Sequence, residues 1–474
     1  MTTFLARSPS VVDDIIGEPH SEPHTKKNTK QEPALDPEFS DFNLARSVME
    51  FHGSTVRHLP QFDTTYWWSG THWQEDLTAH VPALVRDHLH MKSLLVDSPK
   101  KKLLLQSRAK INNVLALVKM DQKITITMDA MNTQDFELNT PSGTIDLHTL
   151  KLMKHDPRAL HSMITAVSPS FEPPELFLQF LSRVTDGDQE KQEMLQRWAG
   201  YCLSGSTRER CMIFQYGSGQ NGKGTLVNAL AGSMGTYARP VADEVFTYSK
   251  FPVHSTGIAG LRGVRLAFGD ETQAGSAWDE AKIKKLTGGG TITAHLMCQD
   301  YQDFVPKFKL MVSGNNKPAL TAVDEAIRSR MILLPFTVTI PEADRDRQLE
   351  DKLRDEYPRI LGWALEGCHK WHQDGLRIPE SVKDATQEYL SGEDTLGRWM
   401  AERAVLGPLT KYEASPSHLF QDWKTWCEQS NEKAGSQKAF SIALEKRDGV
   451  KKDRDMHGRR FQGIALKCDT AREE

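Results

Sequence analysis

The sequence predicts an α/β protein whose mostly parallel sheet is organised around one glycine-rich loop. Three observations carry this. Gly217-Ser218-Gly219-Gln220-Asn221-Gly222-Lys223-Gly224-Thr225 fits the pattern G-x-x-x-x-G-K. The loop is flanked by Cys211–Tyr216, apolar and short enough for a buried strand, and by Leu226, Val227 and Leu230 at helical spacing. From about residue 207 to 341, short apolar runs alternate with helical patterns, as in strands joined by crossover helices.

The loop has a physical reading. Its glycines let the backbone approach phosphate groups, and the following helix offers free N–H groups and a positive dipole end. Lys223 is expected to reach β- and γ-phosphates. Gly217, Gly219, Asn221, Gly222, Lys223, Gly224 and Thr225 are therefore the candidate nucleotide-binding residues. A chance glycine-rich turn has no need of a strand before it and a helix after it.

Bulk properties exclude more than they select. A chain of 474 residues is long enough for several domains with real cores. Its 59 Lys+Arg against 63 Asp+Glu give a net charge of −4, which singles out no partner. No apolar run approaches bilayer length, and the N-terminus lacks a charged-then-apolar signal pattern, so a cytoplasmic protein without membrane contact is expected. The six cysteines are scattered without a C-x-x-C pair, which argues against a disulfide framework or zinc ribbon. They read as small buried hydrophobes.

Along the chain, residues 1–40 are rich in Pro, Glu, Lys, Ser and His and carry no apolar period, which predicts a disordered leader with order starting near Phe42. Residues 41–205 mix strand and helix patterns. Tyr66–Trp73 reads as two strand ends around a Ser69-Gly70 turn. Trp67, Trp68 and Trp73 predict a small aromatic core rather than a base-stacking platform, because no basic residues interleave with them. Leu103, Leu104, Ile111, Val114, Leu115 and Val118 predict one amphipathic helix from about Lys100 to Met120. Leu138–Leu147 reads as a turn feeding a strand, and helices follow from about 174 to 203.

The sheet-forming block is placed at 206–345, a helical segment at 346–392, and a small separate domain at 393–474. The end of that last domain is basic. Lys433, Lys438, Lys446, Arg447, Lys451, Lys452, Arg454, Arg459, Arg460 and Lys467 outnumber Glu445, Asp448, Asp453 and Asp455.

Downstream of the loop, Val264–Phe268 predicts a strand leading to Asp270 and Glu271. Beside a bound nucleotide, one such acid holds Mg²⁺ and the other orients the attacking water; Asp270 is assigned to the metal and Glu271 to the water. Paired acids at a strand end also serve as plain caps, but the distance from the loop leaves room for a crossover helix. Lys282–Gly290 reads as a basic helix and a sharp turn, and Thr291–His295 with Gln302–Pro306 as hairpin arms. Phe308–Ser313 predicts a strand ending in Gly314-Asn315-Asn316-Lys317-Pro318, where an amide can touch a γ-phosphate or position water. Asp324–Arg330 precedes the strand Met331–Phe336. An arginine there can project into a neighbouring subunit's site, an effect worth about 10³–10⁵ in rate; a surface salt bridge is the plainer alternative.

The order and spacing of these motifs resemble the superfamily 3 helicases, AAA+-type motors of small viruses, phages and plasmids. More narrowly, they resemble the helicase half of phage and plasmid primase–helicases. The resemblance is carried by Gly219–Lys223, Glu271, Lys284–Gly290, Asn315–Pro318 and Asp324–Phe336. It extends upstream through Trp68–Trp73, Leu138–Leu147 and Gly200–Gly205 to the family's N-terminal helicase-associated region.

The resemblance implies an AAA+-like P-loop core flanked by an N-terminal α+β/helical region and a C-terminal winged-helix, DNA-binding domain. It implies ATP and Mg²⁺ as cofactors, single-stranded or forked DNA as partner, and six copies in a ring. Lys223 would hold phosphate, Asp270 and Glu271 serve metal and water, and Asn315 sense the γ-phosphate. Arg330 would be the arginine finger, with Arg328 second, and Lys284 a contact to the neighbour's nucleotide. An ATP-driven replicative DNA helicase of a mobile element is the function implied.

Three departures stand out. Gly224 follows Lys223 where many such loops place the Mg²⁺-ligating Ser or Thr, and Thr225 comes one residue later, as in some nucleotide kinases. Gly290 replaces the family's usual Asp. The hairpin from Thr293 to Phe304, which grips DNA in related helicases, holds His295, Gln299 and Tyr301 but no Lys or Arg. A primase module is not found, so primer synthesis is expected from a separate primase or host replication proteins. The loop keeps a nucleotide kinase open as an alternative, and the uncharged hairpin an ATP-switched initiator or loader that binds origin DNA without unwinding.

Overall fold

The computed structural model describes residues 37–249, 256–269, 277–294, 301–320, 323–409, 412–430, 432–455 and 458–470. The leader expected before residue 37 lies outside them. At the centre is a sheet of five strands: β1 (Met212–Tyr216), β2 (Ala238–Pro240), β3 (Leu266–Gly269), β4 (Lys309–Gly314) and β5 (Met331–Pro335). Their order is β5-β1-β4-β3-β2 and every neighbouring pair is parallel. The expected parallel sheet is present.

Alternation along β1 explains why its run is continuously apolar. Ile213 joins a cluster with Leu226, Trp198, Trp363 and Trp371, whereas Met212 and Phe214 face Trp278, Ile283 and Tyr389. Burying each large side chain is worth roughly 1.5–3 kcal/mol. The helices Lys223–Met234, Gln189–Leu203 and Tyr357–Asp374 supply the first face, and Glu280–Thr287 with Glu380–Glu393 the second. The edge of β5 is covered: Leu333 N–H donates to Thr386 Oγ1 at 2.9 Å, so a donor that edge strands leave open is satisfied.

In the N-terminal region, Val56–Leu59, Thr64–Trp68 and Trp73–Glu75 form an antiparallel sheet, with Trp68 opposite Trp73 across the Ser69-Gly70 turn. Trp73 is fully buried with Leu59, Tyr66 and Met131, and donates its indole N–H to Pro157 O at 2.8 Å. Glu137–Thr140 and Gly143–Asp146 form a hairpin. The helix expected over Lys100–Met120 is two helices, Pro99–Leu105 and Arg108–Lys119. Ser107 breaks it, accepting from Lys110 N–H at 3.2 Å as an N-cap. The break turns Leu103 and Leu104 outward, 71% and 42% exposed. Pro37–Phe39 already form a 3₁₀ turn, and Phe39 packs on the first helices.

Two buried cations join this region to the sheet. Arg265 immediately precedes β3 and Lys309 begins β4, so both lie where the parallel strands start. The Arg265 guanidinium donates to the carbonyls of Leu203, Gln134 (3.0 Å) and Glu137 (2.7 Å) and lies over the Tyr237 ring. The Lys309 ammonium donates to the carbonyls of Ser204, Ser206 (3.3 Å) and Lys307 (3.1 Å). Leu203 ends the helix Gln189–Leu203, where unpaired carbonyls and the dipole favour positive charge. Burial pulls the Lys309 pKa down to about 7.

The C-terminal residues close on their own cluster, which includes Trp399, Trp423, Trp426, Phe440 and Phe461. Three helices (Thr395–Arg403, Pro416–Gln429, Gln437–Glu445) are followed by the antiparallel pair Lys451–Asp455 and Gly458–Gln462. Among the described residues, no helix is long and apolar enough to cross a membrane.

Candidate nucleotide site

The glycine-rich loop leaves the C-terminal end of β1, the edge of a parallel sheet where ligands characteristically bind. Gly222 has φ +85°, and a Cβ there would stand 2.6 Å from Val184 Cγ1 and 2.8 Å from Phe180 Cε2. Glycine is demanded by backbone and by space alike. The helix Lys223–Met234 starts immediately after it.

Side chains fix the loop from inside. Buried Asn221 donates its amide to Phe336 O at 3.1 Å, tying the loop to the segment after β5. Lys223 is only 7% exposed. Its ammonium donates to Gly217 O (2.8 Å), Asn221 Oδ1 (3.0 Å) and Asn315 Oδ1 (3.1 Å). Asn315 follows β4, which pairs with β1 in parallel, so the sheet itself brings Asn315 to Lys223. A Cβ on Gly219 would lie 3.9 Å from Asn315 Oδ1, while Gly224 faces open space. The arrangement fits a phosphate chain: a buried ammonium at a helix N-terminus, with neutral oxygens where anionic ones can replace them.

Beside the loop lies a cavity of about 580 Å³ whose lining includes Thr225, Phe180, Ile340, Arg183, Arg345 and Arg347. Arg183 pairs with Asp344 at 2.9 Å, and Ile340 N–H donates to Gln220 O at 3.2 Å. Apart from Thr225, these wall residues were not anticipated from the sequence. Phe180 lies far before the loop and Arg345 far after it, and no local pattern links them; only the loop's contact with the helix Glu175–Val184 does.

Asp270 and Glu271 lie outside the described residues, as do His295 and Gln299. Among the described residues there is no group of three or more His, Cys, Asp or Glu able to hold a metal. The hairpin arms exist as Ile292–Ala294 paired with Gln302–Phe304, and Tyr301 is exposed.

The remaining predicted residues gather elsewhere. Met212 N–H donates to Arg330 O at 2.8 Å, so Arg330 sits where β1 begins, whereas the loop leaves where β1 ends. The five residues of the intervening strand make that about 16 Å at ~3.3 Å each. The Arg330 guanidinium donates to Ala326 O at 2.7 Å. Arg328 pairs with Asp394 at 3.1 Å. Lys284 pairs with Asp324 at 2.6 Å, and Asp324 caps the helix Glu325–Arg328 through Ile327 N–H. Burial works to raise the Asp324 pKa, but the bonds from Lys284 and Ile327 hold it below the usual carboxylate range. Gly217, Gly219, Asn221, Gly222, Lys223, Gly224, Thr225 and Asn315 thus form one group, and Lys284, Arg328 and Arg330 another around the helix Glu325–Arg328.

Comparison with known proteins matches residues 45–200 to a family described as D5 N terminal like. Residues 215–330 match a family of unknown function, DUF5906. The chain is 26% identical over 266 residues to a provisionally named helicase, L207/L206, of Acanthamoeba polyphaga mimivirus, covering 52% of this chain and 28% of that one. It is 25% identical over 253 residues to the similarly named 121R of Invertebrate iridescent virus 3 (47% and 27% covered), and 25% over 259 residues to 022R of Frog virus 3 (50% and 26%). The chain spans little over a quarter of the length of these relatives. Among solved structures, the apo C-terminal region of NrS-1 is similar over 87% of both chains, with TM-score 0.49 and 11% identity.

Proposed function

We propose that this chain, a protein of the superfamily 3 helicase type of phage and viral primase–helicases, is an ATP-driven replicative DNA helicase of a phage, plasmid or other mobile element. Six copies form a ring, hydrolyse ATP between subunits and translocate on single-stranded or forked DNA. The D5 N-terminal-like match and the helicase-named viral relatives support the class of protein. The observation that carries the inter-subunit reading is the separation of the two groups. The arginines of the finger motif stand about a strand's length from Lys223 of their own chain, and reach a nucleotide only in a neighbour.

In this reading the triphosphate takes over Lys223 Nζ from Gly217 O, Asn221 Oδ1 and Asn315 Oδ1. Asn315, released from the ammonium, donates its amide to the γ-phosphate or the attacking water. The cavity beside Thr225 receives the nucleoside end. Thr225 and Asp270 would hold Mg²⁺, which would supply neutralisation of the phosphate charge, and Glu271 would orient water. Arg330 of the adjacent subunit stabilises the transition state, and Arg328 is second in that role. Residues 393–474 act as a winged helix, with exposed Lys438, Lys446, Lys451 and Arg459 meeting backbone phosphates.

A second reading, an ATP-switched initiator or loader, is favoured by one observation: the hairpin carries no Lys or Arg between Thr293 and Phe304. ATPase assays on the wild type and Lys223→Ala, each with and without single-stranded DNA, test the first reading. The wild type alone should be active, and DNA should accelerate it; equal rates in all four samples remove the proposal. Strand displacement on a forked duplex separates helicase from loader.

A further inference from the structure

Asp394 occupies the joint between the helix Glu380–Glu393, which packs on β5, and Thr395–Arg403, the first helix of the C-terminal unit. It is 7% exposed. Its carboxylate accepts from Arg447 twice, at Oδ2 (2.8 Å) and at Oδ1, from Arg328 at Oδ2 (3.1 Å), and from Gly397 N–H at Oδ1 (2.9 Å). A Cβ on residue 397 would stand 2.5 Å from Oδ2, so glycine there leaves room for the carboxylate. One anion therefore holds two guanidiniums, one from the core and one from the C-terminal unit. Arg328 Nη1 also reaches Gln387 at 3.4 Å.

The same helix grips the end of β4. Tyr389 O–H donates to Pro318 O, and Leu320 N–H donates to Glu393 Oε2 at 3.0 Å. The joint thus touches both the helix that leads into Arg330 and the segment that follows Asn315.

We propose that Asp394 is a positioning residue: by holding Arg328 it fixes the turn that presents Arg330 to the neighbouring subunit, and by holding Arg447 it makes that presentation depend on how the C-terminal unit is seated. This rests on the inter-subunit reading above. Arg328, spoken for by Asp394, is then the anchor of the finger turn, and Arg330 the group that reaches the nucleotide. DNA drawn against the C-terminal unit changes the ATPase rate through this carboxylate.

The test is complementation in mixed rings. Asp394→Asn alone should lower kcat at least 10-fold, leave KM for ATP within 2-fold, and leave binding of a fluorescent ATP analogue unchanged, because its own Lys223 site is intact. Mixed 1:1 with Lys223→Ala, which lacks a working site but keeps its finger turn, it should regain roughly a quarter of the wild-type rate, since one interface in four then pairs an intact site with an intact donor. Mixed with Arg330→Ala it should regain nothing. Arg328→Gln, a half-buried position less exposed to folding failure, should behave as Asp394→Asn does. If Lys223→Ala and Arg330→Ala fail to complement each other, the inter-subunit reading falls. If they complement, but Asp394→Asn and Arg328→Gln are rescued by Arg330→Ala or refuse rescue by Lys223→Ala, the role of Asp394 falls alone.

Discussion

The central sheet is joined to its two neighbours by different chemistry. On the N-terminal side the buried centre of the joint is Arg265 and Lys309, 3% and 2% exposed, whose charges are spent on main-chain carbonyls, with the ion pairs Arg262–Asp129 (2.5 Å) and Lys307–Asp135 (2.6 Å) at its rim. On the C-terminal side it is one carboxylate shared by Arg328 and Arg447, whose side chains are 26% and 24% exposed. Carbonyls have no counter-charge to exchange and no long side chain to swing away. A joint of that kind is little affected by salt. A partly wetted ion pair is weaker, open to salt and able to part and reform. The buried, carbonyl-bound joint lies beside the start of the parallel strands, and the shared carboxylate beside the turn that carries Arg328 and Arg330.

The comparison breaks most sharply at Lys309. Replacing it in Lys309→Met leaves the carbonyls of Ser204 and Ser206 without their buried donor, and should cost about 1–3 kcal/mol of global stability for each of them. Denaturant unfolding should show the midpoint moving for the whole N-terminal body. A loss under 1 kcal/mol would mean the cation is incidental. Asp394→Asn should cost less, about 1–3 kcal/mol, and locally: protease cleavage near residue 394 rises while the midpoint of the core stays put. Loss of both together would show that the joints are not distinct.

Salt sharpens the contrast further. Moving from 0.1 to 1 M NaCl should speed cleavage near residue 394 in the wild type more than at the N-terminal junction, where salt screens Arg262–Asp129 and Lys307–Asp135 but not the buried cations. The smallest effect is in pH. Lys309 has a folded pKa of about 7, below the ~10.4 of an unfolded lysine, so above pH 7 the unfolded chain binds the extra proton and stability rises with pH. The stability gap between wild type and Lys309→Met should therefore widen from pH 7 to about 8.5, below which unfolded thiols stay protonated; a flat gap refutes it. Asp394 has the same sign in an acid window. Burial alone would raise its pKa, but the bonds from Arg447 and Gly397 and the charge of Arg328 hold it below the usual range. Its contribution is complete above ~3.9 and fades as pH falls through the depressed folded value, which acid-dependent cleavage near residue 394 should register.

What was legible in the sequence is what is local. The strand, loop and helix around Gly222 are contiguous, and short apolar runs mark β1 and β4 without help from distant residues. The parallel sheet follows because short strands separated by helices have few other ways to pair. The break at Ser107 escaped because a capping serine can sit between apolar positions without disturbing their period. Phe180 against Gly222 and Asp394 between Arg328 and Arg447 escaped for a stronger reason. Each joins residues tens to more than a hundred positions apart, and no spacing rule reaches that far.

Lys223 arrives already engaged, with three neutral oxygens among the partners of its ammonium. Anything that binds there gains only the difference between its own oxygens and those it evicts. A neutral visitor gains little from that exchange, whereas an anionic one sets charged oxygens in the place of neutral ones. The resting loop is in this way biased toward anions.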